Sequence, residues 1–356
     1  GGTQHQALSR SAAEEAVVLL KNEELLPLSS DTRVLITGPS ANTMRSLMGG
    51  WSGTWQAERA DDYFERNNTL VEAIREELTY ARTNYVPSVE FGEAAMDLAP
   101  VMVAAADAEV IVICLGESSY TENPGNINDL ELPESQIALV NALATTGKKL
   151  AFVLTEGRPR VISKIEQLAD AILYTAYPGP YGGEAVSGIL SGRVNPSGKL
   201  PLTYPRETNS LVLYDHKFTE GGVHGEPNTD FWPQYEFGHG LSYSRFEYSD
   251  LQLKSSVLRP GEDLSISVTV TNTSDRAGKE AVLLFSQDEV ATITPSVRRL
   301  RDFSKIELEA GASQVVNFSL RPEDVSFIGL DQQPITEPGW FTIMVGDQKV
   351  RFEYRE

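Results

Sequence analysis

Two glutamates, Glu117 and Glu122, share one polar loop that follows the apolar run from Val110 to Leu115. Around them stand Ser118, Ser119, Tyr120, Thr121, Asn123, Asn126 and Asn128, with a Pro124-Gly125 turn between. A carboxyl group among hydroxyls and amides can exchange a proton with a hydroxylated ligand while its neighbours hold the other hydroxyls. A second group is Trp51 and Trp55 in Met48-Gly49-Gly50-Trp51-Ser52-Gly53-Thr54-Trp55-Gln56. Flat indole faces suit the apolar face of a sugar ring, and each indole N–H can meet a hydroxyl. Trp and Glu loops beyond neighbouring strands together describe a glycoside site, with a general acid drawn from the glutamates.

Other motifs carry less chemistry. Gly50-Trp51-Ser52-Gly53-Thr54 resembles a serine nucleophile elbow but lacks the final glycine. Gly179-Pro180-Tyr181-Gly182-Gly183 matches neither a dinucleotide fingerprint nor a phosphate loop, which counts against a nucleotide-binding protein. The four histidines, His5, His216, His224 and His239, lack metal-ligand spacing, so no metal and no cofactor is called for. A formal charge of −20 argues against nucleic acid or an anionic membrane as partner, because phosphate binding needs basic patches. No apolar run approaches the ~18 residues that would span a bilayer. The one cysteine, Cys114, sits inside the apolar run and reads as a small buried hydrophobe.

At 356 residues the chain exceeds one ordinary domain. Apolar residues recur at helical spacing from Ala7 to Lys21, followed by Asn22 and Pro27. Short apolar runs then alternate with helical patterns. Strands are expected at Val34–Pro39, Tyr85–Val89, Val110–Leu115, Leu150–Leu154 and Ala171–Tyr177. Helices are expected at Thr69–Leu78, Glu93–Ala106 (interrupted at Pro100), Ser135–Ala144, Val161–Leu168 and Gly183–Ser191. This alternation predicts a mostly parallel sheet with helices on both faces, an α/β fold over 31–205. Residues 1–30 read as a connector helix and linker, and 206–247, with Gly221-Gly222, Pro227, Pro233 and Gly238-His239-Gly240, as an irregular connector. From 248 to 356 the period changes to two, with Leu264, Ile266, Val268 and Val270 on one face and Val316, Phe318 and Leu320 on another strand. Turn signals at Pro260-Gly261, Ala310-Gly311 and Pro338-Gly339 complete the pattern of an immunoglobulin-like β-sandwich.

The ordered segments resemble a known family. They include Ala16-Val17-Val18-Leu19-Leu20-Lys21-Asn22, Leu26-Pro27-Leu28, Gly38-Pro39, Gly49-Gly50-Trp51 through Trp55-Gln56, Gly116-Glu117 and Tyr120-Thr121-Glu122. They continue with Leu132-Pro133, Gln136, Pro178-Gly179, Asn195-Pro196-Ser197-Gly198-Lys199-Leu200-Pro201, Phe237-Gly238-His239-Gly240-Leu241-Ser242-Tyr243 and Val268-Thr269-Val270-Thr271-Asn272-Thr273. The chain looks like the C-terminal two-thirds of a family 3 glycoside hydrolase, of the β-glucosidase and exo-β-glucanase type. The resemblance implies an αβα sandwich supplying the acid/base, a fibronectin type III-like domain, and a barrel domain carrying an aspartate nucleophile that is absent here. It places the acid/base on Glu122, makes Glu117 a supporting carboxylate, and matches Trp55 to the platform beneath the aglycone sugar, with Trp51 beside it.

The implied substrate is a β-glucoside or β-glucan oligosaccharide cleaved with retention at its non-reducing end. The implied partner is the barrel, in the same precursor or a second chain, and a homodimer is left open. A secreted or periplasmic setting is expected, although no signal peptide is visible in the chain, which begins Gly1-Gly2-Thr3. The alternative class is a non-catalytic carbohydrate-binding or structural module built from the same two domains.

Overall fold

The computed structural model describes residues 2–92, 97–210, 213–217 and 232–356. These form two compact units, one from the described residues of Gly1–Leu200, Tyr204–Asn209 and His239–Leu241, the other from those of Pro201–Thr203, Ser210–Gly238 and Ser242–Glu356.

The first unit runs α1 (Thr3–Ala16), β1 (Val18–Asn22), β2 (Val34–Thr37), a single turn α2 (Ala60–Tyr63), α3 (Leu70–Leu78), β3 (Thr83–Tyr85), α4 (Ala99–Ala105), β4 (Val110–Gly116), α5 (Glu134–Ala144), β5 (Lys149–Thr155), β6 (Ala171–Tyr174) and α6 (Gly182–Ser191). Its six strands lie in the order β1-β6-β5-β4-β2-β3, with β1 antiparallel and the others parallel. All seven residues of β4 are buried, as a central parallel strand covered on both faces demands. The chain moves outward from β2 to β3, then returns past β2 to β4 and onward to β6. Right-handed crossovers in opposite directions place their helices on opposite faces. Accordingly α3 packs with α6, and α4 with α5. Helix α3 starts at a capping box in which the Thr69 hydroxyl accepts from the Glu72 N–H and Glu72 accepts from the Thr69 N–H.

Four expectations need correction. The helical pattern over 7–21 is two elements: α1 stops at Ala16, and Val18–Asn22 is a strand pairing with β6. Val17, Val18, Leu19 and Leu20 are all buried, so their β-branched, apolar run serves the sheet, whereas α1 buries only Ala13. The strand expected at 85–89 lies at Thr83–Tyr85; Val86 still donates to the Ile36 carbonyl, but Pro87 has no N–H to extend the ladder. The helix expected at 161–168 is one 3₁₀ turn, Glu166–Leu168, because Val161 is held extended in a parallel bridge with Glu131 while Ile162 and Ile165 fill the core. Helix α4 begins at Ala99 with Pro100 in its first turn, where a missing N–H costs nothing; residues 93–96 lie outside the described residues, as do Gly221-Gly222 and Pro227.

The His239-Gly240-Leu241 segment of the Gly-rich motif belongs to the first unit. Leu241 N–H donates to the Leu19 carbonyl at 2.8 Å, and His239 Nε2 donates to the Leu20 carbonyl at 2.8 Å. Gly240 lies so close to Gly198 that a Cβ would sit 2.1 Å from the Gly198 carbonyl oxygen.

The second unit is a β-sandwich. Its strands are β7 (Phe246–Leu253), β8 (Val257–Leu258), β9 (Leu264–Asn272), β10 (Gly278–Asp288), β11 (Arg299–Leu308), β12 (Ser313–Leu320), β13 (Phe327–Ile328), β14 (Pro334–Ile335), β15 (Gly339–Val345) and β16 (Gln348–Tyr354). One sheet has the order β11-β10-β15-β16-β8, the other β12-β9-β7, and β13 pairs with β14 as a short hairpin. Leu264, Ile266, Val268 and Val270 of β9 meet Val316, Phe318 and Leu320 of β12 in a core shared with Val282, Leu284, Phe341, Ile343 and Phe352. The period-two pattern therefore fixed both the strands and their inward faces. At the end of β9, buried Asn272 donates to the carbonyls of Arg276 and Leu308 at 2.7 and 3.1 Å and accepts from Ser274 N–H at 3.0 Å.

Candidate active site

The sheet order reverses between β2 and β4, because β2 is followed by β3 on one side and adjoined by β4 on the other. Such a switch point leaves a crevice beyond the carboxyl ends of the strands, where ligands of open α/β sheets gather. The Trp loop follows β2 and the Glu loop follows β4, so both rise at that crevice.

Strand β4 ends at Gly116, whose φ of +132° admits only glycine, and a Cβ there would meet the Thr155 carbonyl at 1.9 Å. Both of its backbone polar groups meet buried Gln136, which accepts from Gly116 N–H at 3.0 Å and donates to the Gly116 carbonyl at 2.8 Å. The next residue, Glu117, turns inward and is only 7% exposed. Its carboxylate accepts from the backbone N–H of Gly157 and Arg158 at 3.2 Å each and from Arg158 Nε at 3.1 Å, with Arg160 Nε 3.6 Å away. Arg158 also lies 3.8 Å over the Tyr120 ring and donates through Nη1 to the Gly125 carbonyl at 2.6 Å. One guanidinium therefore ties the first residue of the Glu loop to the turn that closes it.

Glu122 stands at the tip of this loop and is exposed. It precedes the 3₁₀ turn Asn123–Gly125, whose Gly125 N–H returns to the Glu122 carbonyl at 2.9 Å. Its φ of +53° is a left-handed conformation that costs a non-glycine residue on the order of 1–3 kcal/mol and tends to mark functional loops. Trp51 and Trp55 are also exposed, at 67% and 45%, and Trp51 N–H donates to the Trp55 carbonyl at 2.9 Å to close their turn. Large exposed aromatics beside a crevice invite a flat ligand or a partner surface.

The Trp and Glu loops are joined directly. Gln56 Nε2 donates to the Thr121 carbonyl at 3.0 Å, and Thr121 N–H donates to Gln56 Oε1 at 3.0 Å. Ser119 Oγ donates to the Gln56 carbonyl at 2.7 Å and accepts from Arg45 Nε at 3.2 Å. Gly50 lets the loops touch, since a Cβ there would lie 2.6 Å from Thr121 Cβ and 2.7 Å from the Tyr120 carbonyl. Of the four residues singled out from the sequence, Trp51, Trp55 and Glu122 thus share one exposed rim, while Glu117 is buried in the support beneath it.

That support also holds Glu156, fully buried at the end of β5. Burial pushes its carboxyl up to about 8, against the opposing pull of the Tyr204 hydroxyl and the Arg160 N–H, which donate to Oε1 at 2.7 and 3.2 Å. Oε2 has no hydrogen-bond partner among the described residues. Burial likewise raises Tyr120 and Tyr177, whose rings meet edge-on at 6.2 Å. The sequence reading missed Gln56, Arg158, Arg160 and Glu156. The run Glu156-Gly157-Arg158-Pro159-Arg160, three charges just past an apolar strand, was the signal for the last three. Among the described residues no group of His, Cys, Asp and Glu could hold a metal ion, and no helix is long and apolar enough to cross a membrane.

The sequence model of the Glycosyl hydrolase family 3 C-terminal domain matches residues 17–243, more than half of the chain. The chain belongs to that family. A Fibronectin type III-like domain matches residues 280–349, within the β-sandwich. Over 98% of its length the chain is 36% identical to a lysosomal beta glucosidase of Dictyostelium discoideum, covering 44% of that protein. It is 33% identical, again over 98% of its length, to a periplasmic beta-glucosidase of Salmonella typhimurium, covering 49% of it. A beta-glucosidase from Listeria innocua, solved in complex with isofagomine, superposes on 99% of the chain with a TM-score of 0.88 at 30% identity, using 50% of its own length. The chain thus spans about half the length of these family 3 relatives.

Proposed function

We propose that this chain supplies the general acid/base and the aglycone platform of a retaining β-glycosidase, acting on β-glucosides or β-glucan oligosaccharides from the non-reducing end. The observation that carries the reading is the clasped rim: an exposed carboxyl group, Glu122, on the residue next to Thr121, and Trp55 on the residue next to Gln56. The relatives named beta-glucosidase support the substrate class.

A retaining reaction needs two carboxyl groups ~5–5.5 Å apart on opposite sides of the scissile bond. Glu117 is a poor second member, because its oxygens face Arg158, Arg160 and two backbone N–H groups inside the loop's base. The nucleophile is assigned, as the family resemblance implies, to an aspartate of a barrel domain that faces the rim. In the first step that aspartate attacks the anomeric carbon while Glu122 gives its proton to the departing glycosidic oxygen, leaving a glycosyl ester and a free alcohol. In the second step Glu122, now a carboxylate, takes a proton from water, whose oxygen attacks the anomeric carbon and releases the aspartate. Both protons are accounted for, and Glu122 ends protonated. Trp55 stacks under the sugar that leaves, Trp51 extends that surface, and Glu117 holds the loop through Arg158. A secreted or periplasmic location fits the relative named periplasmic.

The test is leaving-group dependence in the full-length protein. Glu122→Ala should lower hydrolysis of a disaccharide by roughly 10²–10⁴-fold while sparing the glycosylation step on a dinitrophenyl glycoside, whose leaving group departs without a proton. Equal loss on both substrates, or no loss, would remove Glu122 from the acid role and leave the non-catalytic module as the better reading.

A further inference from the structure

Glu122 and Trp55 sit on different loops, from different strands, yet a proton donor and an aglycone platform serve one bond only if their spacing is held. In this fold the contact adjoining both residues in the chain is made by one side chain, that of Gln56. The Gln56 amide makes two hydrogen bonds to the backbone of Thr121, one as donor to its C=O and one as acceptor from its N–H, each 3.0 Å long. The Gln56 main-chain carbonyl is held as well, by Ser119 Oγ at 2.7 Å. The amide thus copies the paired bonds that adjoining strands exchange and joins two loops that no strand pairing connects. Its chain neighbour on one side is Trp55, and the chain neighbour of Thr121 is Glu122. Glu122 has few other restraints: it is exposed, its φ is +53°, and the 3₁₀ turn after it is anchored by Arg158 at Gly125.

We infer that Gln56 is a positioning residue that couples the aglycone platform to the proton donor, so that stacking of the leaving sugar on Trp55 fixes where Glu122 delivers its proton. The inference rests on the assignment of Glu122 as acid/base. Gln56 touches no reacting atom in this account; it acts through the Thr121 peptide. Alanine at this position loses both bonds. Glutamate replaces them only when protonated, since the acid –OH can donate to the Thr121 carbonyl while its C=O accepts the Thr121 N–H. A carboxylate would set an anionic oxygen against that carbonyl.

The experiment measures kcat/KM of the full-length protein on cellobiose and on dinitrophenyl β-glucoside, for the natural sequence, Gln56→Ala, Gln56→Glu and Glu122→Ala. Gln56→Ala should lower the cellobiose value by about 10–100-fold, part of the general-acid contribution, with a much smaller effect on the aryl substrate. For Gln56→Glu, the ratio of the two values, normalised to the natural protein at each pH, should fall as pH rises through the ordinary glutamate range near ~4.3. A merely structural role would lower both substrates together and leave that ratio flat with pH, and either result overturns the inference. Should Glu122→Ala show no leaving-group dependence, the acid/base assignment falls and this inference with it. Should Glu122→Ala show it while the Gln56 variants do not, only the coupling role of Gln56 is lost.

Discussion

The side-chain amide of Gln56 and the backbone N–H and C=O of Thr121 exchange two hydrogen bonds of 3.0 Å across 65 residues of sequence. This pairing joins the loops that follow β2 and β4 and sets the exposed tryptophans and Glu122 on one rim. Beneath it, Arg158 fastens Glu117 to Gly125, so the loop bearing Glu122 is held at its base and at its turn. The upper contact joins two loops, and the lower one stiffens a single loop. They should therefore fail in different ways.

Arg158→Lys should loosen the Glu loop without unfolding the chain. A lysine can bond Glu117 or the Gly125 carbonyl but lacks the planar fork that reaches both and stacks on Tyr120. Glu117 keeps two backbone donors, so the cost should be about 1–3 kcal/mol. Urea denaturation would measure that cost, and faster amide exchange at Gly125 would report the freed turn. A protected Gly125 amide in the variant would mean that the turn holds itself.

Glu156 should make stability fall with pH. Its folded carboxyl is raised to about 8 from an ordinary 4.5, so the folded chain binds this proton more tightly than the unfolded chain. The resulting stabilisation is complete below about 4.5 and is lost as pH rises through about 8. Glu156→Gln cannot ionise and should gain stability relative to the natural chain as pH goes from 5 to 8, by on the order of a few kcal/mol. Denaturant midpoints of both proteins across that range would show it. Parallel curves would mean that Glu156 titrates alike in the folded and unfolded chains.

Trp55→Ala in the full-length protein should weaken oligosaccharides more than aryl monoglycosides. The exposed indole is assigned to the sugar beyond the scissile bond, and one aromatic stacking contact is worth ~0.5–1.5 kcal/mol beyond its buried area. The comparison is of KM for cellotriose against KM for an aryl β-glucoside. An equal rise on both would give Trp55 a folding role instead.

Much of this was legible in the sequence, for reasons that differ by element. β4 and β5 announce themselves because central parallel strands are buried on both faces and read as unbroken apolar runs. β9 and β12 do so because one inward face per strand imposes a period of two. The run Val17-Val18-Leu19-Leu20 misleads because an apolar helix face and a buried edge strand share the same composition over a few residues. The 161–168 segment misleads because Val161 is drawn into a bridge with Glu131, a partner that no local pattern reveals. At the site, residue types on two loops marked Trp51, Trp55, Glu117 and Glu122, among which only the family resemblance chose Trp55 and Glu122, whereas the roles of Gln56 and Arg158 depend on which backbone groups lie opposite them. Glutamine and arginine carry no signal of that kind until the strands are ordered.

The central claim is that Glu122, and not Glu117, exchanges protons with the substrate. Azide rescue tests it most directly, because a small anion attacks the glycosyl-enzyme without a base and so replaces only the missing acid/base. In full-length Glu122→Ala turning over dinitrophenyl β-glucoside, azide should restore the rate and yield β-glucosyl azide; in Glu117→Ala, whose loss is one of loop support, it should do neither. Rescue and azide product appearing in Glu117→Ala but not in Glu122→Ala would contradict the account and move the acid/base to the buried carboxylate.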